Sequence, residues 1–155
     1  MIYTDFTINE HGFTGHMADP ERKTDQAVIV IMGGEKSILP GIKIAERFAD
    51  FGICGLAVSL FGAEGLPKGP DRIPLDMFEN AVRYLTEEKK MKSVSTYGVS
   101  MGSLFAAFGA CIYRQPPKHP INQGFFETRK LNTKPYNHMV NAFSTLERAF
   151  FIYRA

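Results

Sequence analysis

Residues 98–102 read Gly-Val-Ser-Met-Gly, which fits the G-x-S-x-G pattern of a serine nucleophile on a sharp strand-to-helix turn. Such a turn strains the backbone, so the residues two before and two after the serine must be small. It also directs the backbone N–H of Met101, at a helix N-terminus, toward the oxyanion that forms when Ser100 attacks an acyl carbon. The motif therefore predicts Ser100 as a nucleophile, and a coincidental glycine-rich turn is the alternative.

A second oxyanion donor is expected in the loop after an earlier strand. The residues Gly33-Gly34-Glu35-Lys36 occupy that place, directly after an apolar run, and the glycine pair lets the backbone approach a substrate closely. We expect the backbone N–H of Gly34 or Glu35 to be this donor. A simple strand-ending turn is the alternative.

The segments before the motif alternate between buried strands and helices. Continuous apolar runs predict strands at Ala27–Met32 and Ile53–Leu60, and a third strand is predicted at Ser93–Tyr97. A helix is predicted after each strand. This alternation predicts an α/β fold with a mostly parallel sheet, right-handed crossovers and flanking helices.

The three helices have different signals. Ser37 can cap the first, with Pro40 in its first turn and Gly52 at its end. The second is expected to begin at Pro74 and to bury one face, made of Leu75, Phe78, Val82 and Leu85. The third, Ser103–Tyr113, is apolar nearly all round.

The chain changes character near residue 113. Four prolines interrupt residues 114–137, and His138–Arg154 then recovers a helical spacing of apolar residues: Met139, Phe143, Leu146 and Phe150. No fourth strand is predicted. The last strand then lacks its usual neighbours, and an exposed sheet edge there could let two copies of the chain associate. We expect the apolar stripe to cover that gap, and its use as a dimerisation helix is the alternative.

Composition excludes several classes of protein. The 155 residues are 45% hydrophobic and carry a net charge of +2 without a clustered basic face, so a nucleic-acid partner is not expected. The longest apolar run is six residues, which predicts no membrane span, and the N-terminus lacks a secretory signal. We expect a cytoplasmic protein with one domain over 1–155, no metal or other cofactor, and two buried free thiols, Cys54 and Cys111.

Residues 60–85, LFGAEGLPKGPDRIPLDMFENAVRYL, are similar to a Phe-Gly-x-x-Gly-Leu-Pro segment, an Ile-Pro-Leu step and a Phe-x-x-Ala-x-x-Tyr-Leu helix. Together with the Gly pair and GVSMGS, they resemble the C-terminal domain of the acyl-CoA thioesterase / bile acid-CoA:amino acid N-acyltransferase family. The resemblance covers residues 27–113 and leaves 114–155 as an atypical tail. It implies the N-terminal half of an α/β-hydrolase fold, with Ser100 as nucleophile and Met101 and the Gly34/Glu35 turn as oxyanion hole. Dienelactone-hydrolase-like enzymes have similar turns.

A serine nucleophile needs a general base, usually a histidine held by a carboxylate on loops after later strands. A strand-helix-strand unit takes about 30 residues or more, and reaching the two later strands needs about 90 further residues, whereas 55 residues follow Ser100. His119 lies among prolines, which leaves His138 as the candidate base, and His11 and His16 are expected at the surface. Glu127 and Glu147 are the acids after Ser100. We expect a truncated or frame-altered hydrolase, with an intact short protein as the alternative.

Three functions are compatible with these features. The first is hydrolysis of an acyl-CoA thioester or carboxylic ester through a serine acyl-enzyme, with a small-molecule substrate. The second is an inactive hydrolase-like protein that acts in binding or assembly. The third, nucleotide binding on a parallel sheet, is disfavoured because the Gly33–Gly34 loop has neither G-x-G-x-x-G nor P-loop spacing.

Overall fold

The computed structural model describes residues 1–34, 37–70, 73–112 and 148–154. In this part of the chain, six strands form one sheet in the order β1-β2-β4-β3-β5-β6. The strands are β1 (Ile2–Phe6), β2 (Thr14–Asp19), β3 (Gln26–Ile31), β4 (Cys54–Ser59), β5 (Ser93–Val99) and β6 (Arg148–Arg154). The helices are α1 (Ile8–His11), α2 (Leu39–Asp50), α3 (Asp76–Arg83) and α4 (Met101–Ile112), and a π-helical segment, Tyr84–Glu88, extends α3.

The centre of the sheet is parallel, because β3 pairs in parallel with both β4 and β5. Residues 27–31 of β3 are each at most 1% exposed, as a strand with both faces covered requires. The three predicted strands are confirmed, as is the α/β class with flanking helices. The sheet is mixed, with parallel strands at its centre and antiparallel strands at both sides.

Helices cover both faces of the central strands. On one face, Val28 and Val30 pack with Ala45 of α2. On the other, Ile29 and Ile31 belong to the larger core that includes residues of α3 and α4, among them Phe78 and Ala106. The predicted buried face of the second helix is therefore correct for Phe78, Val82 and Leu85, and Leu75 is half-buried.

Both ends of α2 carry the signals that the sequence predicts, but the N-cap is Ile38 and not Ser37. The helix begins at Leu39, two residues after Ser37, whose Oγ accepts a hydrogen bond from the Leu39 N–H at 3.3 Å. At the other end, Gly52 has a φ of 80° and donates to the Ala49 carbonyl, while Ile53 donates to the Phe48 carbonyl. This pair of bonds is a Schellman motif, which favours glycine at that position.

The helix predicted from Pro74 begins later than expected. Its N-cap is Leu75, so Pro74 lies just outside the helix. After Arg83 the hydrogen-bond pattern widens, and the Lys89 N–H donates to the Tyr84 carbonyl at 3.0 Å. This bond reaches back five residues instead of the four of an α-helix. The π-helical segment ends at Glu88, with Lys89 as its C-cap.

The structure corrects the sequence analysis at both ends of the chain. The antiparallel pair β1 and β2 precedes the first predicted strand, and β2 joins the sheet antiparallel to β4. At the other end, residues 148–154 are a strand, not the end of a helix, and β6 pairs antiparallel with β5 along its whole length. The edge of β5 is therefore covered by the last segment of the chain, as expected, but by a strand at 148–154 and not by a helix; residues 138–147 lie outside the described residues.

The outer strands of the described sheet are β1 and β6. Self-association remains a prediction, but the edge on which it was based is occupied by β6. Among the helices of the described residues, none has the length and apolar character needed to cross a membrane.

Candidate functional site

A one-residue turn joins β5 to α4. The strand ends at Val99 and the helix begins at Met101, so Ser100 is the single residue between them. Its φ is 53°, in the left-handed region that costs a side-chain-bearing residue of order 1–3 kcal/mol. Ser100 is also exposed, as a group that must meet a substrate has to be. We refer to residues 98–103 as the Ser100 turn.

The two glycines of the motif allow this turn to form. A β-carbon added to Gly98 would lie 2.5 Å from the Cα of Ser103, inside the first turn of α4. One added to Gly102 would lie 2.5 Å from the carbonyl oxygen of Met32 and closer still to that of Ile31. The start of α4 thus packs directly on the backbone at the carboxyl end of β3.

Ser103 closes the turn and is a residue whose role the sequence analysis did not identify. Its side chain is buried, and its Oγ donates to the Gly98 carbonyl at 3.0 Å, while its N–H donates to the Ser100 carbonyl at 3.0 Å. These two bonds connect the end of the strand to the start of the helix across Ser100. The available signal was a hydroxyl directly after the motif, where a side chain can bond to the preceding turn.

The predicted oxyanion loop lies beside Ser100, but Gly33 makes the contact. A β-carbon on Gly33 would lie 2.8 Å from the Cβ and 3.3 Å from the Oγ of Ser100. Gly34 is exposed, with open space where its side chain would be. Met101 is half-buried against the main core at the N-terminus of α4. Glu35 lies outside the described residues, and the oxyanion roles of Gly34, Glu35 and Met101 stay predictions.

A crevice adjoins the Ser100 turn. Its walls are Met32 and Gly33 after β3, three residues around the start of α2 (Ser37, Ile38 and Gly41), and residues 58–61 at the end of β4. It has a volume of about 20 Å³, which is room for about one or two water-sized groups. Gly33 borders both the crevice and Ser100, so the crevice lies beside Ser100 at the carboxyl ends of the parallel strands.

The histidines of the described residues do not reach this site. His16 is hydrogen-bonded to Asp5, Nδ1 to Oδ1 at 2.6 Å, and its side chain is 15% exposed, so it is less accessible than expected. The sheet register places His16 of β2 in line with Tyr97 of β5, and three strand spacings separate β2 from β5. Three strand spacings are about 14 Å, far beyond a hydrogen bond to Ser100. His11 is exposed, as expected.

The residues proposed for the rest of a triad lie elsewhere in the chain. His119, Glu127, His138 and Glu147 are all outside the described residues, so the prediction of His138 as base stays a prediction. Among the described residues, no group of three or more histidine, cysteine or carboxylate side chains is arranged to hold a metal ion.

A second nucleophile type is present at the opposite end of the sheet. Cys54, the first residue of β4, is a buried free thiol, as predicted, and Cys111 lies outside the residues whose side chains are described. Burial, followed by the nearby Asp19 carboxylate, raises the pKa of the Cys54 thiol well above its usual range. The thiol therefore stays protonated and unreactive.

Asp19 is also bonded to Lys89, and this hydrogen bond raises the pKa of the Lys89 ammonium. Burial raises the pKa of Tyr84 in the same surroundings. We call Asp19, Cys54, Tyr84 and Lys89 the amino-end cluster. The raised pKa values keep Cys54, Tyr84 and Lys89 protonated at neutral pH, which is typical of a structural cluster.

Comparison with known proteins gives a limited result. No family model and no curated protein matches the chain. The esterase Pf2001 of Pyrococcus furiosus is 19% identical with a TM-score of 0.44, over 70% of this chain and 51% of that one. An alpha-beta serine hydrolase homologue from Coxiella burnetii is 13% identical with a TM-score of 0.46, over 72% of this chain and 57% of that one. The chain thus spans little more than half the length of these structures, and such weak likeness says nothing about its reaction.

Proposed function

We propose that the chain carries the nucleophile region of a serine hydrolase that acts on carboxylic esters or acyl thioesters. The observation that carries the proposal is the conformation of Ser100: an exposed hydroxyl, at a φ of 53°, on a one-residue turn between a buried strand and a helix. Backbone strain at an exposed hydroxyl, maintained by close glycine packing, is the arrangement that a serine nucleophile requires.

The proposed reaction proceeds in two acyl transfers. The Ser100 oxygen attacks the acyl carbon, a base takes the hydroxyl proton, and the carbonyl oxygen becomes an oxyanion. The backbone N–H groups of Met101 and of the Gly34/Glu35 turn are proposed to stabilise that oxyanion. Collapse expels the alcohol or thiol and leaves an ester on Ser100. Water then attacks this ester, releases the acid and restores the hydroxyl.

The finer substrate class rests on the resemblance of residues 60–85 to the acyl-CoA thioesterase and acyltransferase family. On that basis an acyl-CoA thioester is the preferred substrate and a simple carboxylic ester the second. The general base is His138 in this proposal. If no base acts on Ser100, oxyanion stabilisation and binding would support only a small residual rate.

The proposal is tested by reaction with a fluorophosphonate, which labels activated serines. The intact chain should be labelled at Ser100, located by peptide mass spectrometry, and Ser100→Ala should abolish the label. Ser93→Ala is the matched control because Ser93 is at the other end of the same strand, and this variant should react as the wild type does. Absence of label on Ser100 in the folded protein would refute an activated serine.

The competing function, an inactive hydrolase-like protein that acts in binding or assembly, makes the opposite prediction. It requires that thioester and ester turnover be absent or unaffected by Ser100→Ala. Turnover that disappears in this variant and persists in Ser93→Ala excludes it.

A further inference from the structure

The crevice next to Ser100 combines a small volume with walls that carry no charged side chain among the described residues that line it. Val58, Leu60 and Phe61 are at most 6% exposed, and Met32 and Ile38 are half-buried. A wall of this kind gains free energy by covering alkyl groups and loses it by burying an unpaired charge.

The two hydroxyls in the wall are already bonded within their own loops. Ser59 donates to the Phe61 carbonyl at 3.1 Å, and the Ser37 oxygen accepts from the Leu39 N–H at 3.3 Å. These bonds hold both side chains to the backbone of their own loops. The other described residues of the wall are apolar or glycine, so apolar contacts make up most of it.

The volume of the crevice limits the length of the group that it can hold. A volume of about 20 Å³ accepts about one or two groups of methyl size. Gly41 and Met32 line the crevice where α2 packs closely on the sheet: a β-carbon at Gly41 would lie 3.2 Å from the Cγ of Met32 and 3.5 Å from the Cβ of Ala57. A side chain at position 41 would therefore press on Met32 and narrow the crevice.

From these observations we infer that the crevice is the acyl pocket of the site and selects short, unbranched, uncharged acyl groups of about two or three carbons. Gly41 and Met32 set its depth. The inference rests on the proposed function, since it assumes an acyl group attached to Ser100, whose Oγ lies beside Gly33, a residue of the crevice wall.

The test measures kcat/KM for the p-nitrophenyl esters and CoA thioesters of acetate, butyrate and octanoate, with fluorophosphonate labelling of Ser100 measured in parallel. Acetyl substrates should be preferred over octanoyl substrates by about tenfold or more. Met32→Ala, which deepens the crevice, should raise the butyryl-to-acetyl ratio by about tenfold. Gly41→Ala should lower the butyryl-to-acetyl ratio while Ser100 remains labelled.

Leu39→Ala is the control, because Leu39 is 63% exposed at the start of α2 and does not line the crevice. It should leave the chain-length profile unchanged. Two results would refute the acyl-pocket assignment while Ser100 is still labelled: a preference for octanoyl substrates, or an unchanged profile in both Met32→Ala and Gly41→Ala. In either case the serine hydrolase proposal survives. If Ser100 is not labelled and no ester is turned over, both are wrong.

Discussion

The two ends of the central parallel strands each carry a nucleophilic residue type, and the structure treats them in opposite ways. At the carboxyl ends, Ser100 is exposed on a strained turn, and the neighbouring Gly33 has no side chain that could cover it. At the amino ends, Cys54 is buried beside Asp19, and its pKa is raised. A thiol is intrinsically the better nucleophile, yet here its surroundings keep it protonated. Local environment, more than residue type, separates a candidate site from a core residue.

The largest effect is expected from a substitution that destroys the close packing at the carboxyl end. Gly102→Ala places a methyl group against the carbonyl oxygens of Ile31 and Met32, which belong to backbone that cannot move without disrupting β3. We expect a loss of about 3 kcal/mol or more in the free energy of unfolding, measured by urea denaturation.

Gly69→Ala is the matched control for Gly102→Ala, because nothing lies within 4 Å of the added carbon at position 69. It should change the unfolding free energy by no more than about 0.5 kcal/mol. Equal effects of the two substitutions would contradict the close approach of α4 to β3.

The next effect concerns the amino-end cluster and depends on pH. The unfolded Cys54 thiol ionises near its ordinary pKa of about 8.5, whereas the folded thiol, with its raised pKa, remains protonated. The contribution of the protonated Cys54 thiol to the free energy of unfolding is therefore fully present below about pH 8.5. It is lost as pH rises, by up to about 1.4 kcal/mol per pH unit. Between about pH 9 and 11, the wild type should lose about 2.5 kcal/mol more than Cys54→Ala.

The difference between these two proteins isolates Cys54, because the raised pKa values of Tyr84 and Lys89 also lower stability at alkaline pH in both. Urea denaturation at several pH values measures it. Parallel pH profiles for the wild type and Cys54→Ala would show that the thiol ionises equally in the folded and unfolded states.

The smallest effect is the release of backbone strain. Ser100→Gly should stabilise the fold by about 1 kcal/mol, because glycine adopts a positive φ without steric cost, and it should abolish fluorophosphonate labelling. Lys90→Gly is the matched variant, since Lys90 has a φ of 57° at the amino end. It should also stabilise the fold but leave labelling intact. A destabilised Ser100→Gly would indicate that the side chain, and not function, accounts for the serine.

The sequence predicts the centre of this fold well, because residues 27–31 must be apolar on both faces and a short, continuous β-branched run is typical of a buried strand. It does not predict β1 and β2. In β1, the apolar residues Ile2 and Tyr3 are 64% and 54% exposed, so apolar and polar residues do not alternate as in a half-buried strand.

The end of the chain shows why local spacing can mislead. Leu146 and Phe150 are four residues apart and fit a helix, but residues 148–154 include Phe150, Phe151, Ile152 and Tyr153, types that also favour strands. Pairing with β5 decides between the two, and that information is not local. In the site, the motif identified Ser100, whereas the contact between Gly33 and Ser100 depends on β3 and β5 being neighbours in the sheet.

The strand order also has a consequence for how the chain acquires its structure. The first hairpin, β1 and β2, joins the sheet through β4, and β3 has its neighbours in β4 and β5, which come later in the chain. No sheet of more than two strands can form until residue 54 and beyond are available, and β3 is not enclosed until residues 93–98 pair with it. Contacts so distant in sequence make folding slow. During synthesis, one edge of the buried strand β3 is therefore left unpaired for most of the time that the described core takes to emerge.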